Sequence, residues 1–203
     1  RAGPLGDAAA AGAALTAPGS GELTAFERLC DDAVMGYLAQ ARRIALDGKG
    51  NVYWASENAA GEATTVMTAP ITPGTTKPLA TNQADVSGLT ADGETVFWTT
   101  FDDHSLWRLS LDGQPSTPTL LDDTGNTFRG LAMDEVHLYW ASQSGGFVAQ
   151  IPKLGGVPTI IVPYMGEAPH EIAVDPTHVH WLASSGAIGR APIGGGIATV
   201  QSP

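Results

Sequence analysis

"NVYWAS", Asn51 to Ser56, returns three times along the chain, as "TVFWTT" (Thr95 to Thr100), "HLYWAS" (His137 to Ser142) and "HVHWLA" (His178 to Ala183). The tryptophans of these strings, Trp54, Trp98, Trp140 and Trp181, stand 44, 42 and 41 residues apart. Asp92, Asp134 and Asp175 lie six residues ahead of their tryptophans, and Asp47 lies seven ahead of Trp54, as if "GKG" (Gly48 to Gly50) carried one extra residue. Before each aspartate runs a short apolar segment ("RIAL", "GLTA", "GLAM", "EIAV"). After each tryptophan a polar turn leads to a second strand-like stretch ("TTVMTAPI", "LWRLSL", "FVAQIP", "AIGRAPI"). A Gly-rich turn and a Thr/Val/Leu/Ile segment close the unit, so each unit reads as four short strands.

A period of roughly 40 to 45 residues with four strands per unit is the mark of a β-propeller, each unit forming one blade around a central channel. Helical solenoids have similar periods, but turns rich in Gly and Pro about every 8 to 12 residues and β-branched, aromatic strands argue against helices. The pairs Val52/Trp54, Val96/Trp98, Leu138/Trp140 and Val179/Trp181 put one apolar face against a neighbouring blade, because side chains alternate sides along a strand. The tryptophan ladder therefore reads as core and not as a ligand platform. The expected fold is all-β, a β-propeller of four-stranded blades with about four blades visible over residues 37–203.

The strings "IALDGKGNVYWAS", "GLAMDEVHLYWAS" and "EIAVDPTHVHWLA", each followed by a segment such as "GAIGRAPIGGG", resemble the YWTD repeats of six-bladed propellers in lipoprotein-receptor ectodomains and bacterial secreted proteins, within the broader TolB-like and NHL-like group. The likeness covers residues 37–203 and speaks to fold more than to function. At the fourth position the chain departs from it: Ala55, Thr99, Ala141 and Leu182 lead on to Ser56, Thr100, Ser142 and Ala183 where the family carries aspartate. In the family that aspartate organises hydrogen bonds between blades, so a different network is expected here. The resemblance also implies six blades, and four visible units fall short of a closed ring. The remaining blades are expected from another part of the parent protein or from another copy of the chain.

Residues 1–22, "RAGPLGDAAAAGAALTAPGSGE", are rich in Ala, Gly and Pro and read as a tail or linker. Over residues 23–36 two readings compete. Leu23, Phe26, Leu29 and Val34 fall near helical spacing behind Ser20 as an N-cap, whereas the repeat register makes Tyr37 to Ala39 the outer strand of a preceding blade. The chain opens on Arg1, which suggests a processed start or a piece of something longer.

With 21 acidic and 10 basic residues the formal charge is −11, which repels nucleic acid and anionic lipid. No apolar run reaches the roughly 18 residues of a membrane span. The single Cys30 has no intrachain partner for a disulfide or a thiolate metal site.

In propellers the ligand face carries the connection into each innermost strand and the loop between the second and third strands. The register assigns Arg43, Ser87, Arg129, His170 and Glu171 to the first group. Glu57, Asn58, Asp102, Asp103, His104, Gln143 and Ser184 fall in the second. "FDDHS", Phe101 to Ser105, reads first as a solvated turn, although its carboxylates and imidazole could hold a divalent cation or run acid–base chemistry. His178 and His180 share one strand face, an arrangement seen in metal sites, but no carboxylate is placed beside them by spacing. "LDDTGN", Leu121 to Asn126, lacks the spaced acidic ligands of an EF-hand and reads as a turn. "IGGGI", Ile193 to Ile197, joins two strands and has no phosphate-loop lysine.

These features favour a non-enzymatic binding or assembly module, secreted, periplasmic or at the cell surface, that holds a protein or glycan partner and either self-associates or takes missing blades from its parent chain. Its candidate contact residues are Arg43, Glu57, Asp102, Asp103, His104, Arg129, His170 and Glu171. No cofactor is called for by the sequence, and calcium is left open as an ion. The competing reading is a hydrolase, lactonase or lyase with a divalent ion at the channel mouth, and it rests on fold-level analogy.

Overall fold

The computed structural model describes residues 41–57, 64–72, 74–112, 117–125, 127–163, 166 and 168–201. The tail over 1–22, the two readings of 23–36 and the strand expected at Tyr37 to Ala39 lie outside the described residues, as do Asn58 and Asn126.

Every described element is a strand. The first sheet comprises β1 (Ala41–Leu46), β2 (Asn51–Glu57), β3 (Thr64–Pro70) and β4 (Lys77–Gln83). The second comprises β5 (Val86–Ala91), β6 (Thr95–Thr100), β7 (Ser105–Ser110) and β8 (Thr119–Asp122). The third holds β9 (Phe128–Met133), β10 (His137–Ser142), β11 (Phe147–Pro152) and β12 (Thr159–Val162), and the fourth β13 (Pro169–Val174), β14 (His178–Ala183), β15 (Ile188–Pro192) and β16 (Thr199–Gln201). Each sheet is an antiparallel meander whose strands follow chain order, as expected of a propeller blade. The innermost strands pack side by side in the sequence β1, β5, β9, β13, and the four blades do not close into a ring.

Three apolar clusters join the blades. Tyr53, Ala55 and Val66 on the back of the first blade meet Leu89, Val96 and Trp98 on the front of the second. Phe97 and Leu106 meet Leu131, Leu138 and Trp140 across the next junction. Tyr139, Val148 and Ile161 then meet Val179, Trp181 and Ala191. Trp98, Trp140 and Trp181 thus each close their blade over the one before it, and alternation along the strand sends the residue one place earlier to the opposite face. A fourth cluster, Val52, Trp54, Met67 and Ala69, covers the front of the first blade.

The repeated aspartates earn their place in the turn between the first and second strands of each blade. Asp134 Oδ1 accepts from the backbone N–H of Val136 and His137 while Oδ2 accepts from the Tyr139 hydroxyl at 2.6 Å. Asp47 repeats the pattern with Lys49, Asn51 and Tyr53. Its turn closes on Asn51, one residue later than the other three, with Gly48 and Gly50 both at positive φ. In the second blade Phe97 replaces the tyrosine and cannot donate, and Lys153 of the third blade reaches Asp92 Oδ2 at 3.0 Å instead. In the fourth, His180 Nε2 lies 2.7 Å from Asp175 Oδ2. Polar links between blades among the described residues include Lys153 with Asp92, Lys49 with Glu94, Arg43 Nε donating to the Ser87 carbonyl, and Trp98 Nε1 donating to Gln83 Oε1.

These four carboxyls sit below the ordinary 3.8. Burial pushes Asp47, Asp92 and Asp134 upward, but the donors around each outweigh it. Asp175 is drawn down first by His180, then by the donors of Thr177 and His178. Desolvation first, and then the bond to Asp47, pushes the Tyr53 phenol up to about 12. A carboxyl with a lowered folded pKa binds fewer protons folded than unfolded. Its stabilising effect is therefore complete above the unfolded value and is lost as pH falls through the folded one. The melting temperature is expected to hold from neutrality to about pH 5 and to drop below about pH 4, with Asp134→Asn removing part of the drop. A melting temperature that stays level to about pH 2 would contradict this role of the aspartates.

Candidate functional site

The inner strand of every blade begins with a register shift, between Ala41 and Arg43, Val86 and Gly88, Arg129 and Leu131, and Pro169 and Glu171. A bulge leaves one residue unpaired and re-aims the side chains beside it. All four bulges lie at the end of the blades where the second strand runs into its loop, so they gather Arg42, Ser87, Arg129 and His170 on one mouth.

The best-organised part of that mouth lies between the second and third blades. The Arg129 guanidinium rests 4.1 Å from the centroid of the Phe101 ring, and its Nε donates to Gln143 Oε1 at 3.1 Å. Stacking and the single Nε bond fix the plane of the guanidinium and leave its outer edge presented. Among the described residues no carboxylate pairs with it. His104 packs edge-on against Phe101, with 6.3 Å between ring centroids, in the left-handed region at φ 51. Its Nδ1 is buried with no hydrogen-bond partner. Thr127 and Ser144 hydroxyls bond to each other beside the same loop, and Ser144 N–H donates to Thr127 Oγ1 at 3.0 Å.

The other candidates are placed as follows. Arg43 reaches across to the second blade, and Glu57 is ion-paired at 2.8 Å with Arg42, a residue the spacing argument passes over. Asp102 and Asp103 are exposed in the loop after β6. Ser87 is buried, its hydroxyl turned inward to Thr99 Oγ1. His170 is half-buried and Glu171 exposed in β13, whose backbone approaches Gly130 closely. "FDDHS" and the stretch Pro169 to Glu171 thus lie at the same end of the blades, connected through Arg129 and Gly130, but no hydrogen bond or ion pair joins them among the described residues. Ser184 caps the Ala168 carbonyl.

His178 and His180 do share a face, with ring centroids 6.1 Å apart, but they lie at the opposite, turn end of the fourth blade, engaged with Thr177 and Asp175. Among the described residues no group of three His, Cys, Asp or Glu side chains converges to hold a metal ion. None of the described elements is a helix long and apolar enough to cross a membrane. Thr124 Oγ1 donates to Asp122 Oδ2 in the turn after β8, and residues 193–198 connect β15 to β16.

No protein-family model matches the chain, and no curated protein matches it. Solved structures do. A chain of a nidogen/laminin complex is similar with TM-score 0.68 at 12% identity, over 80% of this chain and 64% of that one. A putative TolB from Agrobacterium tumefaciens gives 0.62 at 13%, over 75% and 61%. A catalytically inactive virginiamycin B lyase from Staphylococcus aureus, solved with quinupristin, gives 0.65 at 18%, over 81% and 56%. At these identities the likeness establishes the propeller fold alone. The chain spans between 56% and 64% of the length of these three chains.

Proposed function

We propose that the chain is a binding module that holds a protein partner on the channel mouth, outside the cytoplasm. The observation that carries this reading is the Arg129 guanidinium, laid on Phe101, tied by Nε to Gln143 and unpaired with any described carboxylate. A planar donor fork fixed in this way suits bidentate capture of a carboxylate. The exposed Asp102 and Asp103 next to it, and the net charge of −11, favour a partner surface that is basic around that carboxylate. The nidogen/laminin complex among the similar structures supports a protein partner, and that likeness together with the TolB one supports the location.

The test is an array of extended peptides that varies the number and order of acidic and basic residues. Retention is expected for peptides with one Asp or Glu flanked by Lys or Arg, about tenfold weaker for Arg129→Gln. Asp102→Asn and Asp103→Asn are expected to weaken it in a salt-dependent way. Retention indifferent to Arg129→Gln would overturn the reading.

One observation favours a second reading, a hydrolase, lactonase or lyase: the orphan Nδ1 of His104 beside two carboxylates. By its resemblance such an enzyme would need a divalent ion, calcium being the first choice. A rise in melting temperature on adding calcium or zinc supports it, because an ion that binds only the folded state stabilises that state. No rise removes it.

A further inference from the structure

We propose that residues 23–40 of this chain seat on the front of its own first blade, in the place a preceding blade would take. Trp98, Trp140 and Trp181 are buried because a preceding blade lies over them. Trp54 stands at the same place in the first blade, and no described element precedes that blade. Trp54 is nevertheless 3% exposed, and Val52, Met67 and Ala69 on the same face are 8%, 3% and 2% exposed. Among the described residues no apolar side chain of another blade joins this cluster. Side chains on one face of a strand pair stand beside one another and leave their tips open, so a second layer must lie across them. The outward face of the fourth blade shows the contrast, with Ile188 58% and Leu182 37% exposed.

Reach and composition select the segment. The loop over residues 58–63 joins β2 to β3 at the end marked by the Glu57–Thr64 pair, whereas Val52 and Ala69 lie five pairs further along, about 17 Å away. Six residues folded back on themselves span about 10 Å, so this loop does not reach them. Residues 1–22 carry few large apolar side chains, whereas residues 23–40 carry Leu23, Phe26, Leu29, Val34, Tyr37 and Leu38. Residue 40 runs into β1, whose Ala41 pairs with Ser56 of β2, so the segment ends beside the face it covers. Attachment there makes the contact intramolecular and favours it over the same contact from a second molecule.

The cover is narrower than a blade. Ile44 and Leu46 of β1 are 55% and 57% exposed, and Ile71 after β3 is 37% exposed, so the seat lies over β2 and β3 and leaves the inner strand open. With the segment in place, the first blade offers no free face over β2 and β3 to a blade supplied from elsewhere. The seat uses none of the mouth residues, and its failure leaves the partner-binding reading untouched.

Hydrogen exchange on the full chain tests it. Phe26→Glu combined with Leu29→Glu is expected to unseat the segment and to make the amides of β2 and β3 exchange about tenfold faster, with β10 and β11 unchanged. Exchange unaltered in β2 and β3 overturns the proposal, as does an equal acceleration in β10 and β11, which would mark a general loss of stability. Cys30, the one cysteine of the chain, gives a second readout without any substitution. A nitroxide attached to it is expected to broaden the amide resonances of β2 and β3 and to spare those of β10 and β11. Resonances of β2 and β3 left sharp contradict the seat. So does their broadening in an isotope-labelled chain mixed with nitroxide-bearing unlabelled chain, because the contact would then come from a second copy.

Discussion

Trp140→Ala is expected to destabilise the chain by about 3–5 kcal/mol, a large part of the roughly 5–15 kcal/mol that holds a domain together. Trp140 is fully buried in the second junction, against Leu106 and Phe97 of the blade before, with the Phe128 ring 5.3 Å away. Truncation leaves a void between two sheets whose backbones cannot close on it without breaking register. The melting temperature is expected to fall by about 10 °C. Phenylalanine is a milder change here, because Trp140 Nε1 has no acceptor to lose. At the preceding junction Trp98 Nε1 donates to Gln83 Oε1 at 3.1 Å, so Trp98→Phe carries an extra loss of about 1 kcal/mol. Melting of Trp140→Ala at the parent temperature would show that the tryptophans do not bind the blades together.

Gly130→Ala is expected to cost about 2–4 kcal/mol. Gly130 has φ +53, and an added Cβ would stand 3.0 Å from Ile172 N and 3.1 Å from Glu171 Cα and the His170 carbonyl. Those are backbone atoms of the next inner strand, so relief requires β9 and β13 to part. The movement also shifts Arg129, one residue away, off Phe101, so the variant is expected to lose mouth binding along with stability. Gly125, at φ +81 with open space around it, is the control: Gly125→Ala meets only conformational strain, about 1 kcal/mol. Equal losses from the two substitutions, measured by denaturant unfolding, would show that the inner strands are not closely packed. Gly88, whose Cβ would meet Leu131 Cβ at 2.7 Å, makes the same argument one junction earlier.

The tryptophan spacing was legible because a strand's inward face is written in its own alternation, and four copies of one pattern reinforce each other. The aspartates were legible as a recurrence but not as hubs, since the reach of Asp134 Oδ2 to the Tyr139 hydroxyl depends on a turn geometry that spacing alone does not give. The stacking of Arg129 on Phe101 was not legible, because it joins loops of two blades whose approach spacing does not give. Ser87 turns inward because the bulge at its own position re-aims it, and Arg42 enters the site for the same reason. The left-handed turn at His104 was not legible because histidine, although it enters that region more readily than most residues, adopts other conformations far more often.

Junctions hold the blades together, and among the described residues the second and third blades are covered on both faces and the fourth on one. Native-state hydrogen exchange on the dilute chain measures this directly, since amides open at free energies set by local packing. The slowest exchange is predicted in β6, β7, β10 and β11, with faster exchange in β14 and β15. Slowest exchange in the fourth blade, or equal protection across all four, would contradict it.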